Sequence, residues 1–364
     1  MTENTQGYGS SLTANEISDF LKHIYAADKT ATNIIRPVCI WGKPGIGKTQ
    51  LVKDFAKENG YEFAYCAPAQ FEEMGDFHGI PYVVDGKTVY NTPKWVPSNT
   101  DKPGILLIDD FNRADDRILR GLMQLLQNNG LMSWSLPENW QIICTANPEG
   151  SDYSITNLDD AMLTRMMHIT MKFEPKEWAM WALKNNVDER GIDFVLTYPE
   201  MADGKLTNPR TLTSFFAHTK QIADLKMSVN HVHIIASSLL DKETSGAFAI
   251  FVQDELGKLF TPEEIIKSTD FKEVESNIRS LCVTAQNIRI DILSTMITRM
   301  MFYIKEGKES QTDFSNLLKF LLMDFLPNDL RTSFHLQLMS LKNLEIKKVL
   351  NDKKLSKLLV GDLS

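Results

Sequence analysis

Positive charge is in short supply. The 364-residue chain carries 39 Lys and Arg against 47 Asp and Glu, a formal net charge of -8. The chain as a whole therefore lacks the basic surplus that marks a nucleic-acid binder, although a local basic patch stays open. Cysteine is equally sparse. The four residues Cys39, Cys66, Cys144 and Cys282 are too scattered for a metal knuckle and too few for a disulfide framework in so long a chain. They read as reduced, mostly buried thiols. No apolar run approaches the ~18 residues of a membrane span, and the opening MTENTQGYGSS lacks the basic-then-apolar layout of a secretory signal. These absences point to the cytoplasm, or a compartment like it. What is present is 43% hydrophobic and 24% charged, enough for a sizeable core in a chain long enough for more than one domain.

Past an N-terminus expected to be loose, Thr13 and Glu16 form a capping-box pattern followed by Ile17, Phe20, Leu21 and Ile24 at helical spacing, which predicts a helix leading into the first strand. Short apolar runs then alternate with helical patterns. Residues 38–41, 62–66, 105–108, 141–145 and 167–171 are the strand candidates, and the alternation predicts a parallel five-stranded sheet flanked by helices. Two interruptions read as hairpins. Asp85-Gly86 sits between the β-rich runs 82–84 and 87–90, and both turn positions tolerate positive φ. The weaker case is 131–136, just before Pro137.

Beyond Phe173 strands fade and amphipathic helices dominate. Pro175 and Pro209 suit helix first turns, and 278–304 carries a long apolar stripe. Met296, Met300 and Met301 suit either an adaptable binding surface or core packing, with core packing preferred. The lysine-rich 342–357 reads as a solvated helix face. The predicted division is an α/β core over 1–172, an α-helical lid over 173–265 and an α-helical C-terminal extension over 266–364.

Gly42, Lys43, Pro44, Gly45, Ile46, Gly47, Lys48 and Thr49 fit G-x-x-x-x-G-K-[ST], between a strand and a helical pattern. Glycines let backbone N–H groups curl around phosphate oxygens at a helix N-terminus. Lys48 is expected to reach the β- and γ-phosphates of a nucleotide and Thr49 to ligate magnesium. Alone, such a turn can also be a glycine-rich connection without a ligand. Further along, the apolar run 105–108 ends in Asp109 and Asp110. A buried strand carries acids only at its exposed end, where open α/β sheets place ligands. Asp109 is positioned to support magnesium and Asp110 to orient or deprotonate a water, the alternative being that the pair caps a helix beginning near Ala114. A third strand ends in Asn147, whose neutral amide can bond the attacking water or the γ-phosphate, although an Asn-Pro pair by itself is often a turn.

Taken in order, these signals resemble the MoxR-type branch of the AAA+ ATPases, related to the dynein and midasin modules. The resemblance covers the first two thirds of the chain. It rests on the P-loop; on ILLIDDFNRA at 105–114; on CTANPEG at 144–150, like the sensor-1 strand; on LDDAMLTRM at 158–166, like the arginine-finger helix; and on Asn208-Pro209-Arg210, like the sensor-2 helix start. Residues 79–97 and 128–140 resemble the family's two β-hairpin insertions. The resemblance implies ATP and Mg2+ held between subunits of a homo-oligomeric, hexameric ring. It implies that Arg165 reaches the γ-phosphate of the adjoining protomer and that Arg210 contacts that of its own. Arg113 is expected to make an interface or structural contact. One departure matters: Asp110 stands where the family usually has Glu, one methylene longer, which leaves the rate of hydrolysis open to being slow, while hydrolysis itself is still expected. Residues past about 260 match nothing in the family.

Three functions follow. The first is a chaperone-like remodelling ATPase acting on a protein client, with relatives that commonly work beside a von Willebrand factor A domain partner; here that partner would be a separate chain. The second is a nucleic-acid motor, which requires positive charge at the hairpins. Lys87 and Lys94 lie there, but Asp85 accompanies them. The third is a scaffold that binds ATP and assembles but barely hydrolyses, an idea kept alive by Asp110.

Overall fold

Helix α1 (Ala14–Ala26) begins where its polar residues direct it. The Thr13 N–H donates to Glu16 Oε2 at 2.8 Å and the Glu16 N–H to Thr13 Oγ1 at 3.3 Å, a reciprocal capping box that satisfies two otherwise orphaned donors. The computed structural model describes residues 8–26, 36–98, 101–131, 133–148, 156, 158–253, 260–283, 287–305, 314–341 and 343–360. Two compact units emerge. One is built from residues up to Glu177 together with Asn208–Arg210, the other from Trp178–Thr207 and from Thr211 onward.

The first unit holds strands β1 (Ser10–Leu12), β2 (Val38–Trp41), β3 (Glu62–Cys66), β4 (Ile80–Val84), β5 (Lys87–Asn91), β6 (Gly104–Ile108), β7 (Trp140–Ala146) and β8 (Met167–Met171). Six of them form one parallel sheet in the order β1-β8-β2-β7-β6-β3. All five expected strands are present, and β1 joins them at the edge beside β8. It escapes a sequence reading because Ser10-Ser11-Leu12 has too little apolar alternation to announce a strand.

Strands β2 and β6 are buried along their whole length because both faces of the sheet are covered. Alternate residues supply the two faces. Cys39, Trp41, Leu106, Ile108, Ile142 and Cys144 pack with Ile118, Leu119, Leu122 and Leu125 of helix α4 (Asp116–Asn128). Val38, Ile40, Ile105, Leu107 and Ile143 pack with Ile17 and Leu21 of α1 and with Val52 and Phe55 of helix α2 (Lys48–Glu58). Gly104 faces Trp140 across the β6–β7 pair, where a Cβ would lie 2.3 Å from the indole. The glycine is what lets the ring lie against the strand.

The first hairpin is as the sequence predicts. Strands β4 and β5 pair antiparallel, and Asp85 and Gly86 both have positive φ, 51° and 73°, as a turn matched to the strand twist requires. Both strands are largely exposed. The second expected hairpin is present in minimal form, closed by a single antiparallel bridge. Gly130 and Ser135 form an isolated bridge, Leu131 N–H donates to Trp134 O and Leu136 N–H to Asn129 O. Leu131, Trp134 and Leu136 are all buried, so this short hairpin packs against the core and, unlike the first, is not exposed.

The second unit is helical among the described residues. Its helices Pro175–Lys184 and Pro209–Thr219, each starting in part within the first unit's residues, open on the anticipated prolines. The apolar stripe over 278–304 is not one helix. Helix Phe271–Cys282 ends at Val283, and a second helix runs Ile290–Lys305. Met296, Met300 and Met301 are buried, which favours core packing over a binding surface. Arg299, almost fully buried, binds Asp193 at 3.0 Å and Glu189 at 2.6 Å. Burial pushes the Asp193 carboxyl up to about 7 although Arg299 opposes the shift. No described helix is long and apolar enough to cross a membrane.

Candidate functional site

The C-terminal ends of β2, β6 and β7 lie side by side, and each delivers polar residues to the same sheet edge. Strand β2 runs into the loop of residues 42–47, which turns directly into α2. Gly42 N–H still pairs with Ala146 O at 3.2 Å, after which the chain leaves the sheet. Gly45 and Gly47 have φ of 77° and 110°, conformations that residues with a Cβ resist. Gly45 is doubly constrained, since a Cβ there would lie 2.3 Å from Asn208 Oδ1. Gly47 is the residue before α2 and brings no side chain to the helix N-terminus, the end at which backbone dipoles favour an anion.

Lys48 is 5% exposed, a costly position for an ammonium unless its donors are met. Its Nζ donates to Gly42 O at 2.7 Å, Lys43 O at 3.2 Å and Asn147 Oδ1 at 3.0 Å. Burial lowers its pKa to about 8, the Asp110 and Asp109 charges acting against that shift and the Arg210 charge adding to it. Asn147, at the end of β7, is held by a second amide. Asn112 Nδ2 donates to Asn147 O at 2.8 Å, and Asn147 N–H donates to Asn112 Oδ1 at 3.1 Å. The Asn112 side chain thus imitates a peptide unit and locks the Asn147 backbone, so that the Asn147 amide spans Lys48 on one side and, through Nδ2, Asp110 Oδ1 at 3.1 Å on the other.

The two aspartates have separate settings. Asp109 Oδ1 accepts from Thr49 Oγ1 at 2.8 Å and Thr145 Oγ1 at 2.6 Å, while Oδ2 accepts from Tyr65 OH at 3.1 Å. Asp110 has φ 47°, an αL conformation that Asp tolerates better than most residues. Its N–H donates to Thr145 Oγ1 at 2.8 Å, and Arg113 Nη1 lies 3.8 Å from its Oδ2. Helix capping does not explain Asp110. The chain passes from it into a short 3-10 turn, and it is Asp115 that caps α4, accepting from Ile118 N–H at 2.9 Å.

The structure therefore brings Lys48, Thr49, Asp109, Asp110 and Asn147 into one bonded network at the mouth of the loop. Arg210 joins through its backbone, its N–H donating to Gly45 O at 3.1 Å, and its side chain is exposed. Arg165 is directed elsewhere. It follows the short helix α5 (Asp160–Leu163; α3 is Met74–His78), and its guanidinium reaches Gln127 Oε1 at 3.3 Å and Ala161 O. All four cysteines are buried, and burial holds the Cys39, Cys66 and Cys144 thiols above their ordinary range.

Three members of the network were not singled out in the sequence. Thr145 bridges both aspartates, Asn112 locks Asn147, and Tyr65 reaches Asp109 from the neighbouring strand. Asn112 lies in the Asn-Arg-Ala run and Thr145 in the CTANPEG run, whereas Tyr65 belongs to no motif and depends on which strands are neighbours. Thr49 and Asp109 are a set that suits magnesium. This ion takes few protein oxygens and fills its octahedron with phosphate and water, and among the described residues no three His, Cys, Asp or Glu cluster as ligands for a metal that would need them.

Residues 37–166 match the family model for the AAA domain, dynein-related subfamily. The chain is 23% identical over 175 residues to a midasin of Giardia intestinalis, a match covering 44% of this chain and 4% of that protein. It is 20% identical over 265 residues to a replication factor C large subunit of Ignicoccus hospitalis, covering 71% of this chain and 47% of the relative. Over 121 residues it is 31% identical to an ATP-dependent protease ATP-binding subunit-like protein of Rhodococcus erythropolis, covering 30% and 34%. The chain thus spans less than half the length of each of these relatives.

Proposed function

With residues 37–166 forming an AAA+ ATPase domain, we propose that this chain binds Mg-ATP at Lys48, Asp109 and Asn147 and hydrolyses it as a MoxR-like remodelling ATPase within a ring of its own copies. The observation that carries the reading is the bonded network at one sheet edge, in which Lys48 of α2 donates to Gly42 O, Lys43 O and Asn147 Oδ1 while Asp109, after β6, accepts from Thr49 and Thr145. Loop N–H groups and the start of α2 receive the phosphates, and Lys48 exchanges loop carbonyls for β- and γ-oxygens. Thr49 and Asp109 hold magnesium, which neutralises phosphate charge when bound. Asp110 polarises the attacking water and Asn147 places it, adding no charge of its own. The client is a protein, in keeping with the chain's acidic balance, and a separate von Willebrand factor A domain protein is one candidate.

A second reading, the slowly hydrolysing scaffold, draws on Asp110 itself. Its carboxylate is engaged by Asn147 Nδ2 and lies near Arg113, and it lacks the reach of a glutamate.

The pH dependence of binding follows from Lys48. Its pKa of about 8 in the free protein rises when phosphates surround the ammonium. Above about pH 8 the bound form therefore carries more proton than the free form, and affinity falls by up to about tenfold per pH unit. Titrations of a fluorescent ATP analogue between about pH 7 and about pH 9.5 should show a plateau, then this decline. Calorimetry in two buffers should show proton uptake only on the declining limb. A flat profile would show that phosphate binding does not draw a proton onto Lys48 in this range.

The ring is tested by subunit mixing. Arg165→Ala is expected to lower ATP turnover by about 100-fold or more with nucleotide affinity retained, since a finger arginine acts on the transferring phosphoryl group of a neighbour. Adding Lys48→Ala subunits, inactive themselves but carrying Arg165, should restore part of that turnover. Absence of rescue at protein concentrations that form mixed oligomers would mean that Arg165 does not act across subunits.

A further inference from the structure

Tyr65 belongs to none of the nucleotide-site motifs, yet its side chain ends on one of their central residues. It stands next to last in β3, opposite Leu107 of β6, the strand that leads into Asp109. The hydroxyl donates to Asp109 Oδ2 at 3.1 Å, whereas Oδ1 is shared by Thr49 and Thr145. With the Oδ1 bonds alone the carboxylate can swing about that oxygen; the phenol on Oδ2 fixes its plane. Burial does not demand this bond. The residue is 42% exposed, so its hydroxyl could be satisfied by water. The ring has its own support, with Lys53 Nζ of α2 lying 5.7 Å from its centroid.

We propose that Tyr65 is a positioning residue that orients the Asp109 carboxylate toward a divalent cation and so sets the Mg2+ concentration at which nucleotide is held. This rests on the nucleotide-site reading above. It assigns β3, a strand without any nucleotide motif, a direct part in metal use. Tyr65→Phe removes the hydroxyl and keeps the ring over Lys53.

The test uses the full chain and a fluorescent ATP analogue, titrated with Mg2+ and, separately, measured in EDTA. In Tyr65→Phe the Mg2+ midpoint is expected to rise about three- to tenfold, the scale of one ordinary net hydrogen bond at a solvent-exposed site. Affinity in EDTA and the thermal midpoint should match wild type. An unchanged or lower Mg2+ midpoint overturns the role of Tyr65. A loss of EDTA affinity or of thermal stability parallel to the Mg2+ shift also overturns it, by showing that the bond only supports the fold. Wild type that binds the analogue with a clear Mg2+ midpoint secures the nucleotide site whatever Tyr65→Phe does, and wild type that binds none sinks both readings.

Discussion

Lys48→Ala should weaken Mg-ATP binding by about 100-fold or more and reduce ATP turnover to background, because a charge-assisted contact to two phosphates is lost from a buried site. The ammonium has a second task. It interacts electrostatically with the Asp110 and Asp109 charges, and it donates to Asn147 Oδ1. Its removal leaves that amide without its donor and the phosphates facing carboxylates with less compensation. Both consequences act in the same direction. Phosphate release and analogue binding, measured on protein whose thermal unfolding shows it folded, decide the matter. Retention of turnover within about threefold of wild type, less than one such contact supplies, would remove Lys48 from the site.

Substitution of Asp110 should separate hydrolysis from binding. Asp110→Asn keeps the size of the side chain and suits the αL backbone at φ 47°, since Asn tolerates this region at least as well as Asp. It takes away the carboxylate proposed to polarise water, so turnover is expected to fall about 100-fold or more while Mg-ATP affinity stays close to wild type. Asp110→Glu restores the reach of the usual residue and is expected to raise turnover several-fold. The carboxylate would then extend past its present contact with Asn147 Nδ2 at 3.1 Å. The scaffold reading predicts otherwise: a wild-type rate no higher than that of Lys48→Ala. The ATP-loaded Asp110→Asn protein also offers a trapped assembly from which a protein client, or a nucleic acid, can be recovered and identified.

Much of the site was legible because its signals are local. The P-loop is a contiguous run whose glycines answer to positive φ at Gly45 and Gly47. The placement of Asp109 at a strand end follows from the impossibility of carrying an acid through the buried strand β6. The Thr13 cap and the Asp85-Gly86 turn are likewise short-range chemistry. What stayed hidden depends on strand order. Tyr65 and Thr145 meet at Asp109 only because β3 and β7 flank β6, and no spacing within the sequence states that adjacency. The segment 131–136 closes as the short hairpin expected, by one antiparallel bridge, but a run of apolar residues before a proline does not say whether such a hairpin is exposed or buried, and Leu131, Trp134 and Leu136 are buried. The break between Cys282 and Ile290 lies within an apolar stripe that periodicity alone does not interrupt.

The claim beneath these expectations is that a triphosphate lies along the ends of β2, β6 and β7. The most direct measurement is an experimental structure of the chain with a non-hydrolysable ATP analogue and Mg2+. The account predicts Lys48 Nζ bonded to β- and γ-phosphate oxygens in place of Gly42 O or Lys43 O, with the ion beside Thr49 and Asp109 and the γ-phosphate within reach of Asn147. A nucleotide seated away from the loop of residues 42–47, with Lys48 still bonded to both loop carbonyls, would contradict it.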